Sequence, residues 1–335
     1  MKRYQKIALC MIFSLAVQGG ALCYADKILL KESDDFRIET IEVPIKTFDT
    51  NIEIQSEACN VKVSYGGKYI IYSIGEKIML IDTKDSQVKE ILSDSQILDC
   101  KWVPKNNTLY IVEKKENKVH VKTFNADSNI EQDLNYICDY KDGMNVQSYI
   151  AHSAQYISVY NQNVTDIYRI DIEKEVSKLN TELSKLYSGD VFWDEDIFVY
   201  QDFQSKKLYK YTSGKVSEIQ VKGKANLVVL RAADKSIFLG ELSADNKISK
   251  IIYSEDIQGM SSWKTQELEE AKEINDIYVT EENNIIINDS NNSKVTNISN
   301  GNSMSYKGKF VSINDRVLCS VEDGKISLKS VKETL

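Results

Sequence analysis

An apolar hairpin that recurs seven times constrains the fold of this chain more than any other feature of its sequence. In the first copy, an apolar strand from Tyr69 to Ser73 is followed by a Gly-Glu turn and a second apolar strand from Ile78 to Ile81. The first strands of the seven hairpins are entered at Ile70, Leu109, Ile157, Ile197, Ile237, Ile286 and Val317. Their partner strands open at Ile78, Val119, Ile167, Leu208, Ile248, Val295 and Ile326. Turn-forming residues such as Gly, Asn and Asp separate the two strands of most pairs, as tight hairpins require.

The first complete unit, Val61 to Leu92, contains four short strands rather than two. Four antiparallel strands in about 40 residues are the length and order of one blade of a β-propeller. The repeat therefore predicts an all-β protein with a single β-propeller of seven blades, each of four antiparallel strands. Six blades remain the alternative.

The last unit lacks chain for an outer strand. It has strands near Phe310 to Ile313, at Val317 and at Ile326, and the sequence ends at Leu335. A three-stranded last blade would expose an unpaired edge. We therefore expect one of two strand-like segments that precede the first unit, Phe36 to Val43 or Asn51 to Gln55, to complete this blade.

Three segments do not follow the repeat clearly. Apolar residues from Ile172 to Leu186 recur at helical spacing, although alignment with the first unit predicts an outer strand at Val176 to Leu179 followed by a short helix or turn. Ser261 to Ile274 is rich in Glu and predicts a helix between two blades. Cys138 to Gly143 predicts a loop.

The strand–turn–strand arrangement of two segments resembles the tryptophan-serine-proline-aspartate-glycine repeat of TolB-type and WD40-like propellers. The first is Val61 to Tyr72 with its Gly66-Gly67 turn, and the second contains Trp102 and Pro104. The resemblance in rhythm covers most of the chain after residue 25, but no unit carries a full WD40 Gly-His and Trp-Asp pair. It implies a propeller, and a fold by itself does not fix a function.

The first 25 residues have the pattern of a secretory signal peptide. Lys2, Arg3 and Lys6 precede a short apolar run from Ile7 to Val17, and Cys23-Tyr24-Ala25 provides a cleavage site before Asp26. We expect cleavage after Ala25, a secreted or extracytoplasmic protein, and no membrane insertion afterwards; a retained membrane anchor is the alternative. Residues 26–335 then form the propeller domain, with 26–56 as lead-in and closing strand.

The charge of the chain bears on its partners. The net charge is −8, and the predicted signal peptide carries three bases and no acid, so its removal would leave −11. An acidic chain without a basic cluster is a poor binder of nucleic acid or anionic membranes. We expect a monomer whose partner is an extracellular protein, peptide or glycan, and no nucleic acid.

The sequence carries no recognisable catalytic or cofactor motif. It lacks G-x-S-x-G, both Gly-rich phosphate-binding patterns and the calcium-loop spacing. His120 and His152 are the two histidines, and neither has metal-ligand neighbours, so a structural role is favoured for both. Four cysteines follow the predicted signal (Cys59, Cys100, Cys138 and Cys319), and their spacing leaves a disulfide open. We expect no cofactor and no metal.

The stretch Asp190 to Asp196 is the densest site-like sequence. Trp193 stands beside three consecutive acids, Asp194, Glu195 and Asp196, in a turn between the first and second strands of the fourth unit. Turns of this kind lie near a mouth of the propeller channel, where an indole with carboxylates suits a cationic or sugar ligand. These four residues form the predicted binding site. The alternative is a solvated acidic turn whose Trp covers a blade edge.

The sequence is compatible with two functions. The first is a non-catalytic binding or scaffold protein that holds a protein, peptide or glycan partner on the loops of a rigid propeller. The second is a propeller enzyme of the lyase or glycosidase type that uses carboxylates from several blades. The missing catalytic motifs favour the first.

Overall fold

The computed structural model describes residues 50–92, 95–181, 183–233, 235–332 and 334–335. In this part of the chain, 28 strands form seven antiparallel sheets of four strands each. Apart from a short 3-10 turn at Ile274–Asp276, these residues form no helix. The predicted all-β propeller of seven four-stranded blades is therefore confirmed, and the six-bladed alternative is excluded.

The strands follow the chain from blade to blade. A closing strand comes first, β1 (Thr50–Glu53). Blades 1 and 2 contain β2 (Cys59–Val63), β3 (Tyr69–Ile74), β4 (Lys77–Asp82), β5 (Gln87–Leu92), β6 (Gln96–Trp102), β7 (Thr108–Lys115), β8 (Lys118–Asn125) and β9 (Ile130–Asp139). Blades 3 and 4 contain β10 (Asn145–Ile150), β11 (Ala154–Asn161), β12 (Val164–Asp171), β13 (Val176–Lys178), β14 (Leu186–Val191), β15 (Ile197–Asp202), β16 (Leu208–Thr212) and β17 (Lys215–Ile219).

The remaining three blades complete the ring. Blades 5 and 6 contain β18 (Leu227–Ala233), β19 (Ser236–Leu242), β20 (Ile248–Ser254), β21 (Lys264–Lys272), β22 (Ile277–Val279), β23 (Ile285–Asp289), β24 (Lys294–Asn297) and β25 (Ser303–Ser305). Blade 7 contains β26 (Lys309–Ile313), β27 (Val317–Glu322), β28 (Lys325–Ser330) and β1. The first strands of blades 1 to 6 contact one another in order, and β26 of blade 7 contacts β2 of blade 1, so these strands surround a central channel.

The ring is closed by the N-terminal strand. β1 lies antiparallel to β28, with Thr50 opposite Leu328 and Glu53 opposite Lys325. Ile52, 3% exposed, packs with Ile70 of blade 1 and Ile326 of blade 7. The prediction that Asn51 to Gln55 or Phe36 to Val43 completes the last blade is confirmed for the first segment. The second lies outside the described residues.

The core is divided among the blade interfaces. Within the described residues, seven apolar clusters are found, one between each two neighbouring blades. Strand β3 shows why: Ile70 and Tyr72 pack toward blade 7, whereas Tyr69 and Ile71 pack toward blade 2. A strand that is buried on both faces has no need to alternate apolar with polar residues. The near-continuous apolar runs that marked the repeat follow from this geometry.

Two of the three irregular segments depart from expectation, one throughout and one in part. Residues Lys264 to Lys272, for which we predicted a helix, form β21, the outer strand of blade 5, paired with β20. An outer strand is exposed on most of its surface, so its side chains carry no strand-like apolar pattern, and the hydrogen bonds offered by β20 decide the structure. The outer strand predicted at Val176 is confirmed as β13, and no helix follows it within the described residues. The segment predicted as a loop at Cys138 to Gly143 begins inside β9.

The predicted signal peptide, residues 1–25, lies outside the described residues, as does its apolar run from Ile7 to Val17. Among the residues that the structure describes, no helix has the length and apolar character needed to cross a membrane.

Candidate binding site at one mouth of the channel

The Trp193 turn lies where the sequence placed it, between β14 and β15 of blade 4. The turn is closed by two backbone hydrogen bonds, from Phe192 N to Ile197 O (3.1 Å) and from Ile197 N to Glu195 O (2.8 Å). A third bond, from His152 N to Trp193 O (2.8 Å), ties this turn to the corresponding turn of blade 3. The backbone around the indole is therefore fixed by two blades.

Trp193 lines a small cavity at this mouth of the channel. Its half-buried indole stacks on the ring of His152, with centroids 5.9 Å apart and planes inclined by 25°. The cavity has a volume of about 110 Å³ and is lined by residues of blades 2 to 6. We call its polar wall together with the indole the Trp193 mouth, and define it as Lys101, Asp190, Trp193, Arg231 and Glu281.

Arg231 is the centre of the charged wall. Its Nη1 lies 3.4 Å from Asp190 Oδ2, and its Nη2 contacts Glu281 Oε1. The Asp190 carboxylate also accepts a hydrogen bond from Ala232 N at 2.9 Å. Attraction by Asp190, and to a smaller extent by Glu281, raises the pKa of Arg231 above its ordinary value. The guanidinium is therefore a permanent cation fixed between two carboxylates from different blades.

Lys101 occupies the opposite side of the wall. Its Nζ donates to Ser148 O at 2.5 Å, so that blade 2 is joined to blade 3. Asp99 Oδ2 accepts from both N and Oγ of Ser148 at 2.7 Å. Desolvation at the channel wall lowers the pKa of Lys101, and attraction by Asp99 opposes this shift.

The four residues of the predicted binding site have different positions. Trp193 lines the cavity, Asp194 is exposed on the turn, and Glu195 is partly exposed. Asp196 points toward the interface between blades 3 and 4, where it pairs with Arg169 (Nη2 to Oδ2, 2.9 Å) and accepts a hydrogen bond from the Tyr156 hydroxyl. The structure thus brings Trp193 to the channel mouth and places Asp196 in an inter-blade contact.

The charged wall was not identified from the sequence. Asp190 belongs to the stretch singled out above, but Lys101, Arg231 and Glu281 are far from it in sequence. A signal did exist: a charged residue stands one or two positions before the end of the first strand in four units, at Lys62, Lys101, Asp190 and Arg231. Charges are unexpected within a buried strand unless one face meets water, as the channel face does.

His120 and the four cysteines do not line the cavity at the Trp193 mouth. Among the described residues, no three or more His, Cys, Asp or Glu side chains come together as a group that could hold a metal ion. His120 contacts the ring of Tyr136 on blade 2, with centroids 5.9 Å apart. The four cysteines Cys59, Cys100, Cys138 and Cys319 are free thiols, so the structure shows no disulfide among them.

Comparison with known proteins supports the fold. The chain matches no model of a known protein family and no curated protein. Virginiamycin B lyase from Staphylococcus aureus is similar in structure, with a TM-score of 0.54, 12% identity, and coverage of 84% of this chain and 98% of the lyase. Oligogalacturonate lyase in complex with manganese gives a TM-score of 0.58 at 7% identity, covering 81% of this chain and 89% of that one. A chain in the crystal structure of the mitotic checkpoint complex gives 0.53 at 10% identity, covering 85% and 92%.

These similarities concern the fold that the chain shares with solved proteins. At identities of 7–12% they show the fold alone. The narrower resemblance to TolB-type and WD40-like repeats stays a prediction, since no family model matches. The chain is thus similar to β-propellers of several kinds, and its own residues must supply the argument for function.

Proposed function

We propose that this protein is a secreted, non-catalytic binding module that recognises a protein, peptide or glycan partner at the Trp193 mouth. One observation carries the proposal: a half-buried indole stands at the edge of a cavity whose charged wall is held by ion pairs and hydrogen bonds between blades. An aromatic face beside fixed polar groups binds a partner by stacking and hydrogen bonding.

The size of the cavity supports a macromolecular partner. Pockets for small molecules usually measure about 300–1,000 Å³, whereas this cavity measures about 110 Å³. It has room for a few water molecules or for one side chain. A peptide side chain or a projecting sugar substituent would enter the cavity, and the rest of the partner would lie across the turns.

The state of the carboxylates supports binding rather than catalysis. Asp99 and Asp190 each accept hydrogen bonds from the neighbouring blade, and Glu281 pairs with Arg231. A glycosidase or lyase mechanism needs a carboxylate that is placed to exchange a proton with substrate. Here the three groups act as acceptors that join blades. A propeller enzyme is the alternative, and formation of a product from a bound ligand would support it.

The proposal includes a location and an oligomeric state. The basic and apolar pattern before Asp26 supports export, and the net charge supports a partner other than nucleic acid. A monomer would present both faces of the ring to such a partner. N-terminal sequencing of the exported protein should begin at Asp26, and retention of residues 1–25 in the membrane fraction would contradict export.

The test compares three variants for binding to peptide and glycan arrays and to cell-envelope extracts. Trp193→Ala should weaken binding about tenfold or more, and Trp193→Phe should weaken it less because an aromatic face remains. Tyr136→Ala is the matched control, since Tyr136 is 44% exposed on the outer strand of blade 2, away from the mouth. Circular dichroism establishes that each variant keeps its fold.

Fluorescence locates the binding event. The protein has three tryptophans, and the difference between wild type and Trp193→Phe isolates the emission of Trp193. Ligand at the mouth should change that difference signal. Equal binding by Trp193→Ala and wild type would overturn the site. Mass-spectrometric detection of a product from a bound glycan or peptide, lost in Asp190→Asn, would overturn the non-catalytic function.

A further inference from the structure

A second cluster of aromatic and charged side chains lies at the other end of blade 4 from Trp193. Strands β14 and β15 pair Val191 with Phe198 at the end nearest Trp193, and Leu186 with Asp202 at the far end. We call the cluster beside this far end the aromatic–lysine patch, and define it as Tyr160, Lys185, Tyr187, Phe203 and Lys206. Tyr160 comes from blade 3 and the other four residues from blade 4 or the loop that precedes it.

The two rings of blade 4 are exposed to solvent. Tyr187 is 39% exposed and Phe203 is 46% exposed. Their centroids are 5.6 Å apart, and their planes are inclined by 45°. Two large aromatic side chains in contact with each other and with water form an apolar surface that solvent does not favour. Such a surface is suited to a ligand with a flat apolar face.

Two lysines lie against these rings. Lys206 Nζ is 4.1 Å from the Phe203 centroid and 5.0 Å from that of Tyr187. Lys185 Nζ is 5.2 Å from the Tyr160 centroid and 5.8 Å from that of Phe203. Within the described residues, neither lysine has a carboxylate at salt-bridge distance, although the chain carries 50 acids. The patch therefore presents two positive charges without a paired carboxylate, on a protein that is acidic overall.

The patch is held in place by the buried carboxylate of Asp202. This carboxylate accepts hydrogen bonds from Ser184 N (3.1 Å) and Ser205 N (2.7 Å). It therefore fixes both the segment that precedes β14 and the turn that contains Phe203. Phe203 N donates to Lys185 O at 2.7 Å, and Lys206 N donates to Asp202 O at 3.0 Å. The backbones that carry the rings and the lysines are thus preorganised, which reduces the entropy cost of binding.

A cavity of about 470 Å³ lies beside the patch, between blades 3 and 4. Its wall includes Tyr160, Lys185, Tyr187 and Phe203 together with amide and hydroxyl side chains: Asn145, Gln147 and Ser158. No hydrogen bond of the Asn145 side chain is found within the described residues. The volume falls within the range of ligand pockets, and the amides and hydroxyl are suited to bonding hydroxyl groups of a ligand.

From this arrangement we infer that the aromatic–lysine patch binds a segment of an acidic glycan that contains uronic acid residues. The ring of a uronic acid has a flat face of C–H groups and carries a carboxylate directly. A carboxylate that bonds Lys206 or Lys185 therefore brings the sugar ring onto Phe203 and Tyr187, and its hydroxyls toward Asn145 and the other polar groups. An acidic peptide carries its carboxylates on flexible stems without such a face, so it would use the lysines and leave the rings exposed.

The test uses polymannuronate and polygalacturonate as probes, with mannan and galactan as their uncharged counterparts and poly-L-glutamate as a carboxylate polymer without sugar rings. Affinities are measured by calorimetry on the full chain at two salt concentrations. At least one uronan should bind, and more tightly than its neutral counterpart. Its affinity should fall as salt rises, because salt screens the lysines.

Variants of the patch separate stacking from charge. Phe203→Ala should weaken uronan binding about tenfold, whereas Phe203→Tyr should bind like wild type. Lys206→Gln should weaken binding about fivefold and reduce the salt dependence. The matched control is Tyr136→Ala, since Lys118 Nζ lies 5.1 Å from the centroid of that exposed ring on blade 2. This variant should bind like wild type.

Several outcomes would overturn the inference. These are the failure of both uronans to bind, equal binding of poly-L-glutamate, and unchanged uronan binding by Phe203→Ala with its fold intact. A preference for single-stranded DNA over both uronans would also overturn it, because bases stack on aromatic side chains as well. The Trp193 variants report on a different face of the ring, so the two proposals stand or fall separately.

Discussion

Arg169 and Asp196 join two neighbouring blades through an ion pair whose closest atoms, Nη2 and Oδ2, are 2.9 Å apart. Arg169 Nε also donates to Asp196 Oδ2, at 3.1 Å. The Tyr156 hydroxyl donates to the other oxygen of this carboxylate, Oδ1. The pKa of Tyr156 is raised, first by burial and then by this carboxylate. Asp196 therefore holds the Trp193 turn against blade 3, so it supports the binding site without facing the cavity.

Loss of this ion pair should destabilise the fold. We predict that Asp196→Ala lowers the free energy of unfolding by about 2 kcal/mol, because charged hydrogen bonds are lost and Arg169 is left without this partner. Urea denaturation provides the measurement. Asp194→Ala is the matched control: Asp194 is exposed on the same turn, and its loss should change stability by less than about 0.5 kcal/mol. Equal effects of the two changes would contradict the inter-blade role of Asp196.

Closure of the ring should depend on β1. A chain that begins at Ser56 loses the outer strand of blade 7, and it should melt at a lower temperature than one that begins at Asp26. Ile52→Ala isolates the apolar part of this contribution. It should lower the free energy of unfolding by about 3 kcal/mol, which corresponds to a fall in melting temperature of roughly 5 °C or more.

The control for closure is Glu53→Ala. Glu53 follows Ile52 in β1, and its side chain is 80% exposed and 3.5 Å from Lys325 Nζ. Exposed pairs of this kind contribute little, so this variant should melt close to the wild-type temperature. If the chain that begins at Ser56 melts together with the longer one, β1 does not close the ring.

The cysteines should differ sharply in reactivity. Burial raises the pKa of Cys100 and of Cys319 to about 12, and it raises the pKa of Cys138 as well, whereas Cys59 is exposed. Because the thiolate is the reactive form, Cys59 should react rapidly with Ellman's reagent in the native chain beginning at Asp26. Cys100 and Cys319 should react only on unfolding. The rapid phase should vanish in Cys59→Ser, and peptide mapping that shows a disulfide would contradict four free thiols.

Asp202 should make stability depend on acid pH. Burial alone would raise its pKa, but hydrogen bonds from Ser184, Ser205 and Lys185 outweigh burial and lower it. The native state then binds fewer protons than the unfolded chain, whose Asp has a pKa of about 3.9. The contribution of Asp202 is therefore complete above that value and is lost as pH falls through the lower, native pKa.

The corresponding variant is Asp202→Asn. At pH 7 it should lower the free energy of unfolding by about 1–3 kcal/mol, and the deficit relative to wild type should shrink as pH falls below about 4. Urea denaturation across this pH range gives the comparison. A deficit that stays constant down to pH 2 would contradict the role of the ionised carboxylate. Because Asp202 fixes the segments around Phe203, the variant should also lower the affinity of the aromatic–lysine patch for its ligand.

The sequence by itself indicated an all-β propeller, favoured seven blades over six and located the central hairpin of each blade. It left two candidate segments for closing the ring, and the structure decided for seven blades and for β1. Strands such as β3 are buried on both faces between two blades, so selection for an apolar surface leaves a continuous apolar run that is visible without a structure. Outer strands have no such constraint. For this reason the sequence around Lys264 to Lys272 predicted a helix, whereas hydrogen bonding to the edge of β20 makes this segment a strand.

Only the tertiary structure decided which side chains share a site. Lys101, Asp190, Arg231 and Glu281 come from four blades and meet because the first strands of successive blades surround one channel. Of the neighbours Trp193 and Asp196, one lines the cavity and the other pairs with Arg169, although both stand in the same five-residue turn. A local sequence pattern reflects which residues are buried, and this pattern of burial is repeated in each blade. The direction of a turn residue depends on what the adjacent blade offers it, and that partner lies tens of residues away in the chain.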